Sequence, residues 1–256
     1  MSNKNLQKEI IKWIKGYLKD SGLDTLVVGV SGGVDSAVVS TLCALTGKQV
    51  IVLKMPIKSN KENTRLSNLH ARFLTTKFDN VREIEIDLTS SYMTLQGNLL
   101  QAIPDSPLAN ANTKSRLRMI ALYYAATYHK GLVIGTGNKV EDYGVGFFTK
   151  YGDGGVDISP IADLTKTQVR ELASQLDVIP EIISAPPTDG LWEDDRTDED
   201  QIGVSYEELE WAMSYLEEDK TRKLSSREKE ILEIYLDFNH KNKHKMIPIP
   251  TFRITS

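Results

Sequence analysis

Three short apolar runs constrain this chain most: residues 26–30 (LVVGV), 50–55 (VIVLKM) and 131–135 (GLVIG). None alternates with polar residues. A strand of that kind leaves no face for water, so it belongs in a parallel sheet covered on both sides. Between the runs lie helical patterns. Residues 4–20 set Leu6, Ile10, Ile14 and Leu18 at four-residue steps, 34–46 end at Gly47, 60–77 align Leu66, Leu69 and Phe73, and 114–129 form another. VREIEI, 81–86, alternates and reads as an edge strand. Strand and helix in turn predict a Rossmann-like parallel sheet with helices on both faces. Ligands then bind beyond the carboxyl ends of the strands, at loops 30–36, 54–63 and 136–160. After 160 come a helix near 166–176, an acidic, unpatterned loop at 184–203, and extra C-terminal helices at 205–218 and 226–240.

Of 256 residues, 40% are hydrophobic, which suits one core and a single domain over 1–256. A net charge of -4 argues against nucleic acid as a partner. The single cysteine, Cys43, excludes an intrachain disulfide, and its apolar neighbours make it a buried thiol. The N-terminus lacks a signal-peptide core and no stretch reaches a membrane span, so a soluble, cytoplasmic protein is expected.

SGGVDS, 31–36, separates the first strand from its helix. Gly32 and Gly33 let backbone N–H groups approach an anion, the helix start adds more, and Ser31 and Ser36 can donate. No lysine lies in the loop, so it is not a Walker A loop. A helix end contributes only about 0.3–1 kcal/mol towards an anion, too little for a polyphosphate. Asp35 reads either as a first-turn acid or as a ligand for a Mg²⁺ placed between it and phosphate.

SGGVDS resembles the pyrophosphatase loop S-G-G-x-D-S of the ATP-pyrophosphatase superfamily, whose members adenylate a carbonyl or carboxyl oxygen. GTGNKVEDYGVGFFTKYGDGGVDISPIADLTKTQV, 135–169, resembles the core signature of the NAD synthetase family. NTKSRLRM at 112–119, PTDGLW at 187–192, DEDQIG at 198–203 and HKM at 244–246 add to the likeness. The fold it implies is the adenine nucleotide alpha-hydrolase-like form of the Rossmann-like sheet.

The resemblance implies ATP- and Mg²⁺-dependent amidation of deamido-NAD with ammonia, through an adenylate, giving NAD, AMP and pyrophosphate. It assigns the metal to Asp35 and Glu141, and ATP to Gly29, Val30, Ser31, Gly32, Gly33, Val34, Asp35, Ser36, Thr136, Lys166 and Thr188. It puts Asp153 near the ammonia position. It gives deamido-NAD to Arg116, Lys150 and Asp157, with His244 and Lys245 closing from the C-terminal tail. On the residues alone, Glu141 is a loop acid, Lys150 a solvated lysine, Lys166 a helix-start surface lysine and His244 a surface histidine.

Where family members commonly carry arginine, two residues before Pro56, this chain has Lys54. Lysine keeps the charge and loses the planar fork. Family members are homodimers with the dinucleotide site at the interface, which the resemblance implies here too, and the helices at 4–20 and around SRLRMIALYYAATY are candidate interfaces or internal faces. The first helix starts near residue 4, which leaves no room for an N-terminal glutamine amidase domain, so free ammonia is the expected nitrogen source. The rival readings are another enzyme of the superfamily, such as a tRNA thiolase, and a nucleotide-binding regulator without chemistry. The thiolase would want cysteines and a basic surface, and Asp35, Glu141 and Lys166 together argue against the regulator.

Overall fold

A computed structural model describes residues 3–192, 196–217 and 223–254. After the helix α1 (Asn3–Asp20), β1 (Thr25–Gly29) leads through the glycine loop into α2 (Val34–Leu45). Then follow β2 (Gln49–Lys54), α3 (Lys61–Lys77), β3 (Val81–Glu85), α4 (Thr89–Leu99), α5 (Pro107–His129) and β4 (Gly131–Ile134). The strands form one parallel sheet in the order β3-β2-β1-β4.

Both faces are buried, which explains the missing alternation. Leu26, Val28, Val50 and Val52 meet residues of α1, α2 and α3 on one side. Val27, Ile51, Leu53 and Val133 meet Ala125 and Ala126 of α5 on the other. Each fully buried aliphatic side chain contributes about 1.5–3 kcal/mol. Cys43 is a free, buried thiol whose pKa burial pushes up, as its apolar setting implied.

The chain continues through a π-helical turn (Val140–Val145), α6 (Lys166–Gln175), α7 (Pro180–Ser184), α8 (Asp198–Ile202), α9 (Tyr206–Glu217) and α10 (Ser226–Met246). Val140 and Val145 of the π turn form a separate apolar cluster with Tyr206, Leu209, Ile231 and Tyr235. The C-terminal helices therefore pack on the loop after β4, beside the sheet.

Several boundaries differ from the sequence reading. Helix α4, absent from it, buries only Tyr92 and so shows no apolar stripe. Helix α5 starts at Pro107, where Ser106 caps it by accepting from the Ala109 N–H, seven residues before the expected start. The loop expected over 184–203 contains α8, whose start Thr197 and Asp200 close with a reciprocal capping box; Glu193, Asp194 and Asp195 lie outside the described residues. Helix α10 runs to Met246, so His244 and Lys245 sit on its last turn rather than in an extended tail. Among the described residues, no helix is long and apolar enough to cross a membrane.

Candidate active site

The carboxyl ends of β1, β2 and β4 open into a cavity of about 300 Å³. Its wall includes every residue of the loop 29–36, together with Thr136, Glu141, Asp153, Lys166 and Thr188. Arg116, Lys150, Asp157, His244 and Lys245 are not among its lining residues.

The glycine loop has only one way to fit. Gly32 has φ +95, and a Cβ there would stand 2.8 Å from the Asn63 carbonyl oxygen and 3.0 Å from the Ser67 N. Ser67 in turn donates to the Val30 carbonyl at 2.8 Å, so α3 clamps the loop. Ser31 Oγ accepts from the Gly33 N–H at 3.2 Å and lies 3.1 Å from Ser36 Oγ. No side chain caps α2 at Gly33, so its first-turn N–H groups stay available to an anion.

Three elements bring charge to this loop. Lys166 Nζ donates to Asp35 Oδ2 at 2.6 Å and to Glu141 Oε1 at 3.0 Å, with its side chain only 3% exposed. A lysine at the first residue of α6 opposes the helix dipole, so local helix energetics do not explain it. Burial works to lower the Lys166 pKa, but Asp35 and Glu141 carry it above lysine's ordinary value. Burial pushes Glu141 up, against the pull of Lys166. Asp142, partly buried beside Glu141, is pushed up to about 8 by burial and then by neighbouring acids.

Residues outside the sequence-based assignment hold this cluster. Asn138, fully buried, donates to Asp35 Oδ1 at 3.1 Å and accepts from the Glu141 N–H at 3.1 Å. The Tyr206 hydroxyl lies 2.5 Å from Glu141 Oε1 and 3.2 Å from Asp198 Oδ2, and Asp198 Oδ1 accepts from the Asp189 N–H at 3.0 Å. Asp198 is pushed up to about 7, first by burial and then by Glu141. Asn239 and Asn242 of α10 donate to the Gly144 and Val145 carbonyls at 2.8 and 2.9 Å and fix the π turn that carries Glu141. Asn138 and Asp198 lie inside the quoted motifs, so a signal existed; Tyr206 lies four residues beyond Ile202 and carried none.

Tyr206→Phe keeps the buried ring and removes its only donor. A hydrogen bond to a charged group contributes about 1.5–3 kcal/mol, so urea denaturation should show a loss of that size. A variant as stable as the parent would mean that the phenol does not hold Glu141.

Asp153 Oδ1 accepts from Ser115 Oγ at 2.7 Å and from the Thr149 N–H at 3.0 Å. Burial pushes its pKa up while these donors favour the charged form. Thr188 receives the Gly190 N–H at 3.2 Å, in a loop that lines the cavity. Lys54 is ion-paired with Glu83 at 2.6 Å and Glu85 at 2.5 Å and donates to Asn68, so β3 and α3 engage its ammonium. Burial works to lower its pKa, but the two glutamates carry it above the usual lysine value.

The five residues outside the cavity form two groups. Arg116 donates to the Lys150 carbonyl at 3.3 Å, Lys150 Nζ to the His244 carbonyl at 2.8 Å, and Lys245 Nζ to the Phe148 carbonyl at 2.8 Å. These join α5, the loop after the π turn and the end of α10. Asp157 stands apart, accepting from the Val133 N–H at 2.8 Å and from the Tyr123 hydroxyl at 3.0 Å.

Residues 6–248 match the NAD synthase family. The chain belongs to that family. It is 41% identical over 207 residues to the NH(3)-dependent NAD(+) synthetase of Carboxydothermus hydrogenoformans, covering 79% of this chain and 82% of the relative. It is 36% identical over 258 residues to the protein of the same name from Methanocaldococcus jannaschii, covering 98% and 97%. The structure of NMN synthetase from Francisella tularensis superposes with a TM-score of 0.86 at 30% identity, over 99% of this chain and 100% of that one. For a NAD synthase, the wall formed by residues 29–36 and the Asp35–Lys166–Glu141 cluster stand where an α/β sheet of this type binds its ligand, beyond the strand ends.

Proposed function

We propose that this cavity joins ammonia to the nicotinate carboxylate of deamido-NAD, using ATP, and releases NAD, AMP and pyrophosphate. The observation that carries the reading is the convergence of Asp35, Glu141 and Lys166 on the open start of α2 in a NAD synthase. The protein is an ATP-dependent carbon–nitrogen ligase, and its relatives are named NH(3)-dependent NAD(+) synthetases.

A Mg²⁺ ion fits the donors present. Asp35 and Glu141 offer hard oxygens on one point, within 3.0 Å of a buried ammonium that already occupies a cation's place. Two carboxylates completed by substrate phosphate are a usual Mg²⁺ environment. Bound there, the ion would supply charge neutralisation for the leaving pyrophosphate.

In the first step a carboxylate oxygen of deamido-NAD attacks the α-phosphorus and the bond to pyrophosphate breaks. The loop N–H groups, Ser31, Ser36 and Lys166 hold the leaving group as its charge grows. In the second, ammonia attacks the acyl carbon, AMP leaves, and a proton departs. Asp153, fixed by Ser115 and Thr149, is assigned to the incoming nitrogen. The loop over 187–192 shields the adenylate from water. The dinucleotide is assigned to Arg116, Lys150, His244 and Lys245, which link α5, the loop after the π turn and the end of α10, and to Asp157.

A homodimer is part of the reading. Ile120, Tyr124 and Tyr128 expose a row of large side chains along α5, with Tyr124 and Tyr128 each 76% exposed. In α1, by contrast, Ile10, Ile14 and Leu18 are buried in the core, which leaves Trp13 and Tyr17 outside. Free ammonia as nitrogen source, one domain over 1–256 and a cytoplasmic setting complete the reading.

The likeness to the Francisella NMN synthetase favours a second reading, in which the deamido mononucleotide is amidated. One experiment tests both. The protein is given ATP, Mg²⁺ and ammonium with deamido-NAD or deamido-NMN, and amide, AMP and pyrophosphate are measured. The expected result is NAD, AMP and pyrophosphate in equal amounts, little reaction of the mononucleotide, and none with glutamine in place of ammonium. At fixed total ammonium the rate should rise with pH as free ammonia increases, until an enzyme group titrates. Faster turnover of the mononucleotide would move the assignment to the second reading. Pyrophosphate release without any amide would remove both.

A further inference from the structure

Among the described residues, four cationic side chains line the cavity: Lys54, Arg118, Lys166 and Arg170. Three are ion-paired, Lys54 with Glu83 and Glu85, Lys166 with Asp35 and Glu141, and Arg170 with Glu207 at 3.4 Å. Arg118 has no carboxylate at ion-pair distance among the described residues. Its one protein hydrogen bond runs from Nε to the Met55 carbonyl at 3.1 Å. Both nearby acids are occupied elsewhere. Asp153 Oδ1 is held by Ser115 and Thr149, while Asp189 accepts from the Leu191 N–H, Trp192 and Gln201. Burial works against the charge of this guanidinium, and Asp189 and Asp153 offset that only from a distance.

An unpaired guanidinium in a cavity wall is costly, and a bound anion is what removes the cost. Position selects the anion. Arg118 lies on α5 one turn beyond Ser115, which holds Asp153, and its Nε is tied to the residue just after β2. The side chain of that residue, Met55, packs at Gly29, the end of β1, with Leu122 of α5 beside it. Arg118 therefore shares the cavity wall with Asp153 and with the end of β1 that leads into the glycine loop. In the proposed reaction, the β- and γ-phosphates are assigned to the loop N–H groups and to Lys166, whose two acids a bound cation would share. The α-phosphate, which joins nucleotide to carboxylate and remains on AMP, has no other unpaired cation in the wall. A planar guanidinium with free N–H groups suits a phosphate.

We propose that Arg118 binds the α-phosphate of ATP and keeps it through the adenylate to AMP. This rests on reading the cavity as the ATP site. The test is calorimetric binding of AMP, adenosine and inorganic pyrophosphate to the parent protein and to Arg118→Met. AMP differs from adenosine only in the phosphate. The parent should prefer AMP by about tenfold or more, one charge-assisted contact. Arg118→Met should lose that preference and keep adenosine and pyrophosphate within about twofold. If Arg118→Met fails to fold, Arg118→Gln carries the same comparison. A parent that binds AMP no better than adenosine overturns the proposal. So does a variant that weakens AMP and adenosine alike, or pyrophosphate more than AMP. These measurements need no turnover. A parent that forms NAD but shows none of this pattern refutes the role of Arg118 alone, whereas Arg118-dependent AMP binding without amide formation refutes the deamido-NAD reading alone.

Discussion

Asp35→Asn and Glu141→Gln should each lower turnover by about 10²-fold or more, as loss of a main transition-state stabiliser does. Each amide keeps its side chain's shape and removes its charge. The two acids come from different elements, Asp35 from the first turn of α2 and Glu141 from the π turn, yet both contact Lys166 Nζ, so each should weaken the same cation site. Mn²⁺ binding in the presence of ATP, followed by electron paramagnetic resonance, gives a readout apart from rate. Both variants should bind Mn²⁺ more weakly than the parent. Near-parental rates and Mn²⁺ affinity in both would remove the metal assignment.

Lys166→Met should be the most damaging single change, because it alters both rate and stability. Turnover should fall by about 10²-fold or more through loss of a charge that holds the leaving phosphates. Without divalent cation, the variant leaves Asp35 and Glu141 facing each other at a buried site. Breaking a buried pair in this way costs about 3–5 kcal/mol. The pH dependence has a definite sign. Burial and Asp35 raise the Glu141 carboxyl, and removing Lys166 takes away the main opposing charge. A folded state that binds more protons than the unfolded one loses stability as pH rises from the unfolded pKa through the folded pKa. Urea denaturation of metal-free Lys166→Met should therefore give lower stability towards neutral pH and recovery towards acid pH. Mg²⁺ with ATP should restore part of the loss. A variant as stable as the parent across that range would show that the two acids do not repel in the folded protein.

The sequence by itself determined the parallel sheet, the glycine loop and the family. Non-alternating runs such as LVVGV have one physical solution, burial on both faces, and SGGVDS records a backbone that needs φ > 0 at Gly32 under the clamp of α3. Weakly amphipathic α4 escaped, since a helix that buries one side chain leaves no period to read. Within the site, the loop chemistry marked Asp35 as a candidate, and the resemblance of the quoted motifs added Glu141 and Lys166. Their mutual distances did not follow from spacing, because 131 residues separate Asp35 from Lys166. Only the tertiary structure decided that Lys166 is a buried bridge rather than a surface lysine, that β3 engages Lys54, and that Asn138, Tyr206 and Asp198 hold the acids. It also decided that His244 and Lys245 ride on α10. The reason is the same in each case. Which charge faces which, and which stays unpaired as at Arg118, depends on packing between elements far apart in the chain, and local patterns carry no information about those distances.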